Sequence, residues 1–269
     1  MNSNQFYGFF QNVKNMPIDV QECSLYGSVF AEVYDYISVV DKQELNYYTQ
    51  SMPHGGSRIL EIACGSGRLT IPLLEQGYTV DAVDISESML ERLSARLENH
   101  PAEVRERCQI YCTDIYQFDS EKEYDMIIIP ATSICLIADT AELMQRLFLK
   151  IHDLLHPNGV FVFDFREYPQ SQSANKSEVY TDFFVAHNMK WFVVFQEFNH
   201  YLKGYSVVNF YLETIQEIET HRYLCSSSKK ILTQSMINRK ASATGFHLVG
   251  SSVLEHSGGI TSRFLCYEK

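Results

Sequence analysis

The spacing of apolar positions changes along this chain, and each spacing predicts a different element. Over 24–38, Phe30, Val33, Tyr34 and Ile37 recur at three- and four-residue intervals, which predicts an amphipathic helix. A loop with Pro53, Gly55 and Gly56 follows. Beyond it, short continuous apolar runs over 58–63, 79–83, 108–112, 124–129 and 160–164 predict buried strands. Helices fall between them. One covers 69–76 and stops at Gly77. Another is capped by Ser86 and carries Met89, Leu90, Leu93 and Leu97 on one face. A third spans 140–155 with Leu143, Leu147, Ile151 and Leu155 facing inward, and Pro157-Asn158-Gly159 reads as the turn after it. This alternation indicates an α/β fold around a parallel sheet.

The pattern then shifts. Residues 178–224 hold runs rich in Val, Tyr, Phe and Thr, broken at His187-Asn188 and Lys203-Gly204, which predicts an antiparallel meander. A helix over 233–244 ends at Gly245, and strands over 246–254 and 260–267 close the chain. The expected organisation is one domain over 1–269. It has an N-terminal helical lid at 1–52, a core at 53–170, an antiparallel cap at 171–226, and a terminal helix and strands at 227–269.

Composition narrows the function. An apolar fraction of 45% suits a globular core. The formal charge of −11 argues against a nucleic-acid partner, which calls for a basic footprint, and is compatible with a cationic substrate. The longest apolar stretch, 126–138, is too short to span a bilayer, and the first residues lack the pattern of a signal peptide, so no membrane partner is expected. Seven cysteines, most of them in apolar runs, predict reduced thiols in a cytoplasmic protein. No cysteine or histidine spacing predicts a metal site. Trp191, within the meander, reads as a core aromatic or a substrate platform.

Chemistry concentrates at 58–70. A predicted strand runs into Gly65-Ser66-Gly67 and then a helix, where the absence of a Cβ lets backbone approach a ligand. Asp84 lies 19 residues after Gly65, at the end of the next strand, near the spacing of a ribose-binding carboxylate. A dinucleotide fingerprint needs a third glycine where Thr70 stands, and Glu61 would repel a pyrophosphate.

Together, Glu61-x-x-x-Gly65-x-Gly67, Asp84, Asp114 and His156-Pro157-Asn158-Gly159 resemble the class I S-adenosylmethionine-dependent methyltransferases. The resemblance covers 26–165 in motif detail and implies a Rossmann-like seven-stranded sheet with helices on both faces. It implies S-adenosylmethionine as cofactor, leaving as S-adenosylhomocysteine. Glu61 and the backbone from Ala63 through Gly65 to Gly67 would hold its methionine end, and Asp84 its ribose. Ile85 and Met89 would wall the adenine, and Asp114 with Ile115 would read its amino group. Pro130 to Ser133 would face the methyl, and Tyr34 would cover the cofactor.

The sequence is also similar to the subgroup that methylates amines of glycine, amino sugars and peptide natural products. The acceptor is then a small molecule or a peptide N-terminus, with the Arg-ended peptides of the plantazolicin type as the specific case. Phe6, Tyr7, Phe9 and Phe10 would form a lid over it, or simply dock the N-terminus to the core. Asp164 ends the fifth strand, at the carboxyl edge, and is the candidate to orient a cationic amine or take its proton. Tyr180 is a second catalytic candidate. Two alternatives stay open: an O-methyltransferase of a sugar or polyketide, and a non-catalytic cofactor-binding protein.

Overall fold

The computed structural model describes residues 4–38, 41–168, 179–186, 189–255 and 261–269. The turn expected at His187-Asn188 lies outside them. The chain begins with α1 (Gly8–Lys14), β1 (Gln21–Ser24), α2 (Ser28–Ile37) and α3 (Lys42–Ser51). It continues through β2 (Arg58–Ile62), α4 (Thr70–Glu75), β3 (Thr79–Asp84), α5 (Glu87–Leu97), α6 (Ala102–Arg105) and β4 (Cys108–Cys112). Then come β5 (Tyr124–Ile129), α7 (Ile134–Ile137), α8 (Ala141–Leu154) and β6 (Leu155–Glu167). Four long strands follow: β7 (Val179–Ala186), β8 (Met189–His200), β9 (Tyr205–Gln216) and β10 (Glu219–Lys230). The last elements are α9 (Gln234–Ala243), β11 (His247–Glu255) and β12 (Thr261–Glu268).

These elements form two compact units. One joins Met1–Gly27 to Pro169–Ile231, and the other joins Ser28–Tyr168 to Leu232–Lys269. The segment 1–52, expected as one helical lid, is therefore divided between them at Gly27.

The larger unit is a seven-stranded sheet in the order β11-β12-β6-β5-β2-β3-β4. Neighbouring strands pair in parallel except β6–β12 and β12–β11, so β12 alone runs against the other six. Strand side chains alternate between faces, so each central strand feeds two cores. Leu60, Ile127, Ile129 and Phe163 pack with Leu147, Phe148 and Ile151 of α8 and Ile237 of α9. Ile59, Met126, Ile128 and Val162 pack with Leu73 of α4, Leu93 of α5 and Tyr48 of α3. Thr140 caps α8, whose inner face is Met144, Leu147, Phe148 and Ile151, while Leu143 stays half-buried. The predicted turn Pro157-Asn158-Gly159 lies inside β6. Pairing with β5 jumps there from Tyr124↔Leu155 to Met126↔Val160, so these residues make an irregularity in the ladder, where Pro and Gly are tolerated.

The smaller unit is a five-stranded sheet, β1-β10-β9-β8-β7, antiparallel apart from the parallel pair β1–β10. The meander is as predicted, and β1 is an addition to it. Phe6, Phe10 and Val13 are buried against Val194, Tyr211 and Leu224. Tyr7 packs on Phe198 and His200, so three of the four N-terminal aromatics dock the chain to its own sheet, whereas Phe9 is 46% exposed. The cysteine expectation is corrected at one pair. Cys23 and Cys225 form a disulfide, because parallel register sets their Cα atoms 5.1 Å apart, within bridging range. Cys64, Cys108, Cys112, Cys135 and Cys266 lie outside this disulfide as thiols. Among the described residues no helix is long and apolar enough to cross a membrane.

Truncating Phe10 should destabilise the smaller unit far more than truncating its neighbour. Phe10→Ala is expected to cost about 3–5 kcal/mol through lost burial and a cavity. Phe9→Ala should cost about 1 kcal/mol or less, since its half-exposed ring loses only edge contacts with Phe10 and Tyr211. Urea unfolding of the two variants measures the difference.

Candidate active site

The motif residues gather where the parallel strands end, the edge at which open α/β sheets bind ligands. β2 runs into a turn in which Ala63, Gly65 and Gly67 all have positive φ, at +58°, +56° and +82°. The two glycines serve different ends. A Cβ on Gly65 would meet no atom within 4 Å, so backbone there is open to an incoming group. A Cβ on Gly67 would stand 2.3 Å from Leu93 Cδ1, so this glycine lets the turn close on α5.

Asp84 joins that turn to β3. Its Oδ2 accepts from the Gly65 N–H at 2.8 Å, and its Oδ1 accepts from the Ser86 N–H at 2.8 Å. Burial raises its pKa, opposed by these N–H groups. Beside it, Ile85 is 75% exposed, an uncovered apolar face next to a carboxylate. Met89 is buried one turn into α5, and its N–H is taken by Ser86 Oγ at 3.3 Å. After β4, Asp114 is exposed and makes a turn, its Oδ1 accepting from the Tyr116 N–H at 2.9 Å. The side chain of Ile115 is in the core.

Buried charge lies within the same unit. Glu61 is 1% exposed and accepts from Thr70 Oγ1 at 2.7 Å, which ties the end of β2 to the start of α4. Burial pushes its pKa up to about 7. Arg68 forms a bidentate ion pair with Glu44 of α3, one arm at 2.7 Å. Asp35 of α2 accepts from Ser66 Oγ, and from Arg92 Nε and an Arg92 terminal nitrogen at 2.9 and 2.7 Å. Tyr34, its neighbour, is half-buried against Phe30.

After β5 the chain turns sharply at Pro130–Ser133. Ala131 and Thr132 are both left-handed, with φ of +56° and +59°. Such conformations cost about 1–3 kcal/mol each in non-glycine residues and persist only when the surroundings enforce them. Pro130 is buried, and the Ser133 carbonyl starts α7 by accepting from the Leu136 N–H at 2.9 Å. Asp164 of β6 reaches this turn. Its Oδ2 accepts from the Thr132 N–H at 3.1 Å, and its Oδ1 accepts from the Tyr48 hydroxyl at 3.3 Å. It is 3% exposed, and burial pushes its pKa up to about 7.

Of the two catalytic candidates, Asp164 belongs to the larger unit and Tyr180 to the smaller. Tyr180 is 39% exposed, stacked on Phe195 at 4.6 Å and donating to Asp182 at 2.8 Å. Trp191 is buried and stacked on Phe184. Sequence reasoning missed Glu44, Tyr48 and Asp35. The run Asp41-x-x-Glu44 before Leu45 and Tyr48 is a helix-start pattern that would have shown α3, where Asp41 accepts from the Gln43 N–H at 2.7 Å. Among the described residues no cluster of His, Cys, Asp or Glu is arranged to hold a metal.

The sheet carries an antiparallel hairpin, β12 and β11, on one side of five parallel strands. Residues 60–161 match the family model described as a methyltransferase domain. A putative methyltransferase of Geobacillus sp. strain WCH70 is 32% identical over 127 residues, 47% of this chain and 48% of that protein. A ubiquinone biosynthesis O-methyltransferase of Rickettsia typhi is 26% identical over 125 residues, 46% of this chain and 45% of that protein. The chain spans about half the length of these curated relatives. An S-adenosylmethionine-dependent methyltransferase from Clostridium acetobutylicum superposes with a TM-score of 0.70 at 15% identity, covering 89% of this chain and 97% of that one. The sugar N-methyltransferase KedS8 from Streptoalloteichus sp. gives 0.70 at 18% identity, covering 92% and 96%. The family match spans 60–161, and the solved structures share this fold.

Two predictions follow from this geometry. Gly65→Ala should cost about 1–2 kcal/mol, the penalty of a left-handed L-residue in open space. Gly67→Ala should cost about 1–3 kcal/mol more, because Leu93 must also move. Urea melts of both variants test this. The second concerns pH. Glu61 and Asp164 stay protonated in the folded chain up to about pH 7, whereas unfolded carboxyls ionise near pH 4. Between these values the folded state binds more protons, so stability falls as pH rises, by at most about 1.4 kcal/mol per pH unit per group. Glu61→Gln should flatten the slope of unfolding free energy from pH 5 to 7. An unchanged slope counts against the assignment.

Proposed function

We propose that this protein is an S-adenosylmethionine-dependent N-methyltransferase acting on an amine of a small natural product or a peptide N-terminus. One observation carries the cofactor reading. The open backbone at Gly65, the Asp84 carboxylate bonded to its N–H, and the exposed Ile85 lie together at the sheet's carboxyl edge. These groups fit an adenosyl ligand: a carboxylate for ribose hydroxyls, an apolar face for the base, and backbone that a ligand can approach. Asp84 would hold the ribose, Ile85 would cover the adenine and Asp114 would read its amino group. When bound, the cofactor supplies a methyl group already activated on a sulfonium.

What remains for the chain is alignment of the acceptor, which can supply many orders of magnitude in rate. The amine reading is favoured by how Asp164 is used. Its carboxyl is buried and holds the 130–133 turn, so the carboxylate expected as a base is engaged within the protein. A neutral amine carries its own lone pair and needs alignment, whereas a hydroxyl must also lose a proton. The resemblance to a sugar N-methyltransferase along 92% of the chain supports the same reading, and the net charge of −11 favours a cationic acceptor whose charge lies away from the reacting amine, as on an Arg side chain. The Rickettsia relative keeps hydroxyl acceptors as the second reading.

Labelled S-adenosylmethionine should transfer its methyl to an amine panel of glycine, an amino sugar and an Arg-ended peptide, and not to matched hydroxyl compounds. Transfer to hydroxyls alone overturns the amine reading. Cofactor binding with transfer to neither panel points to a non-catalytic binding protein. Asp84→Ala should weaken S-adenosylmethionine binding roughly tenfold to a hundredfold, from loss of charge-assisted hydrogen bonds of about 1.5–3 kcal/mol each. Titration calorimetry on folded variant reads this directly.

A further inference from the structure

We propose that Asp164 is a positioning residue: braced by Tyr48, it holds the Ala131–Thr132 turn in its left-handed form and thereby sets where the acceptor sits for methyl transfer. The proposal rests on the methyltransferase reading above and replaces the general-base role expected of this carboxylate.

Ala131 and Thr132 are consecutive non-glycine residues with positive φ, and a β-branched residue in that region is an outlier. Strain of this kind needs an external hold, and the structure supplies one. Thr132 donates its N–H to Asp164 Oδ2 at 3.1 Å, from a strand 32 residues further along the chain. The other carboxyl oxygen accepts from Tyr48, fully buried on α3, so the carboxyl is fixed from two sides. Downstream, the Cys135 N–H bonds the Thr132 carbonyl at 3.0 Å, and the Ser133 N–H bonds the Pro130 carbonyl at 3.1 Å. The turn is therefore tied at both ends, and Asp164 ties it from outside its own segment. The charged and titratable groups acting on Asp164 are Glu44 and Tyr48 from α3 and Arg68 from the glycine turn. Asp164 thus couples the turn after β5 to the Arg68–Glu44 pair beside the cofactor turn.

The test compares Asp164→Asn with Asp164→Ala. An asparagine keeps an oxygen for the Thr132 N–H and can donate its amide to Tyr48, but it cannot take a proton as a base. Asp164→Ala should lower kcat on the amine methylated by wild type on the order of a hundredfold, the effect of a small misplacement, while the cofactor Kd stays within about threefold. Asp164→Asn should rescue most of that kcat. Hydrogen exchange should show the Thr132 amide protected in wild type and Asp164→Asn and unprotected in Asp164→Ala. An Asp164→Asn enzyme that binds cofactor normally yet is as slow as Asp164→Ala restores the general base and overturns the proposal. So does an unprotected Thr132 amide in wild type, or wild-type kcat in Asp164→Ala. If Asp164→Ala does not fold, Asp164→Asn and the wild-type exchange still decide. Wild-type protein that transfers methyl to no acceptor defeats the functional reading itself, a result separable from a dead variant of an active enzyme.

Discussion

The site depends on one hydrogen bond between adjacent strand ends, from the Gly65 N–H to the Asp84 carboxylate at 2.8 Å. Parallel pairing of β2 with β3 brings the two strand ends level, so a residue 19 positions away becomes a neighbour. The bond orders the glycine turn, and the second oxygen, by accepting from Ser86, orders the start of α5. Leu93 of α5 then closes on Gly67, where a Cβ would force the leucine side chain to move. One carboxylate therefore ties two strands and a helix to the place where backbone is left open.

Around this edge the larger unit buries several ionisable groups. Glu44, Glu61 and Asp164 are all less than a tenth exposed, and Arg68 pairs directly with only the first of them. Buried ion pairs are weak sources of stability, since desolvation offsets their attraction. Here the geometry gives them another use. Glu44 holds Arg68 at the glycine turn, Glu61 takes Thr70 at the start of α4, and Asp164 takes Thr132. Each fixes a loop or helix start at the carboxyl edge, where left-handed residues need support. The raised pKa values of Glu61 and Asp164 are the cost of that placement.

The smaller unit is stabilised differently. Its sheet is long-stranded and antiparallel, and its N-terminal segment returns to it twice, through Phe6, Phe10 and Val13 on one side chain cluster and through β1 beside β10. The disulfide Cys23–Cys225 links residues 202 apart, which ties the first strand of the chain to the last strand of the meander.

Periodicity and motif order determined much of this protein. The parallel strands, the capped helices at Ser86 and Thr140, the glycine turn and Asp84 were legible because each rests on local rules: side-chain period, capping chemistry and the freedom of glycine. The meander was legible for the same reason. Tertiary structure alone decided which charged residues meet. Glu44 reaches Arg68, Asp35 reaches Arg92, and Tyr48 reaches Asp164 across separations of 24 to 116 residues, which no local period encodes. It likewise decided that Cys23 stands opposite Cys225, since a parallel pairing of distant strands leaves no mark in either segment. It also changed the meaning of residues already singled out. Glu61 and Asp164 sit at the positions the sequence indicates, yet both are buried and bonded within the protein, because burial is a property of what packs around a strand end and not of the strand itself.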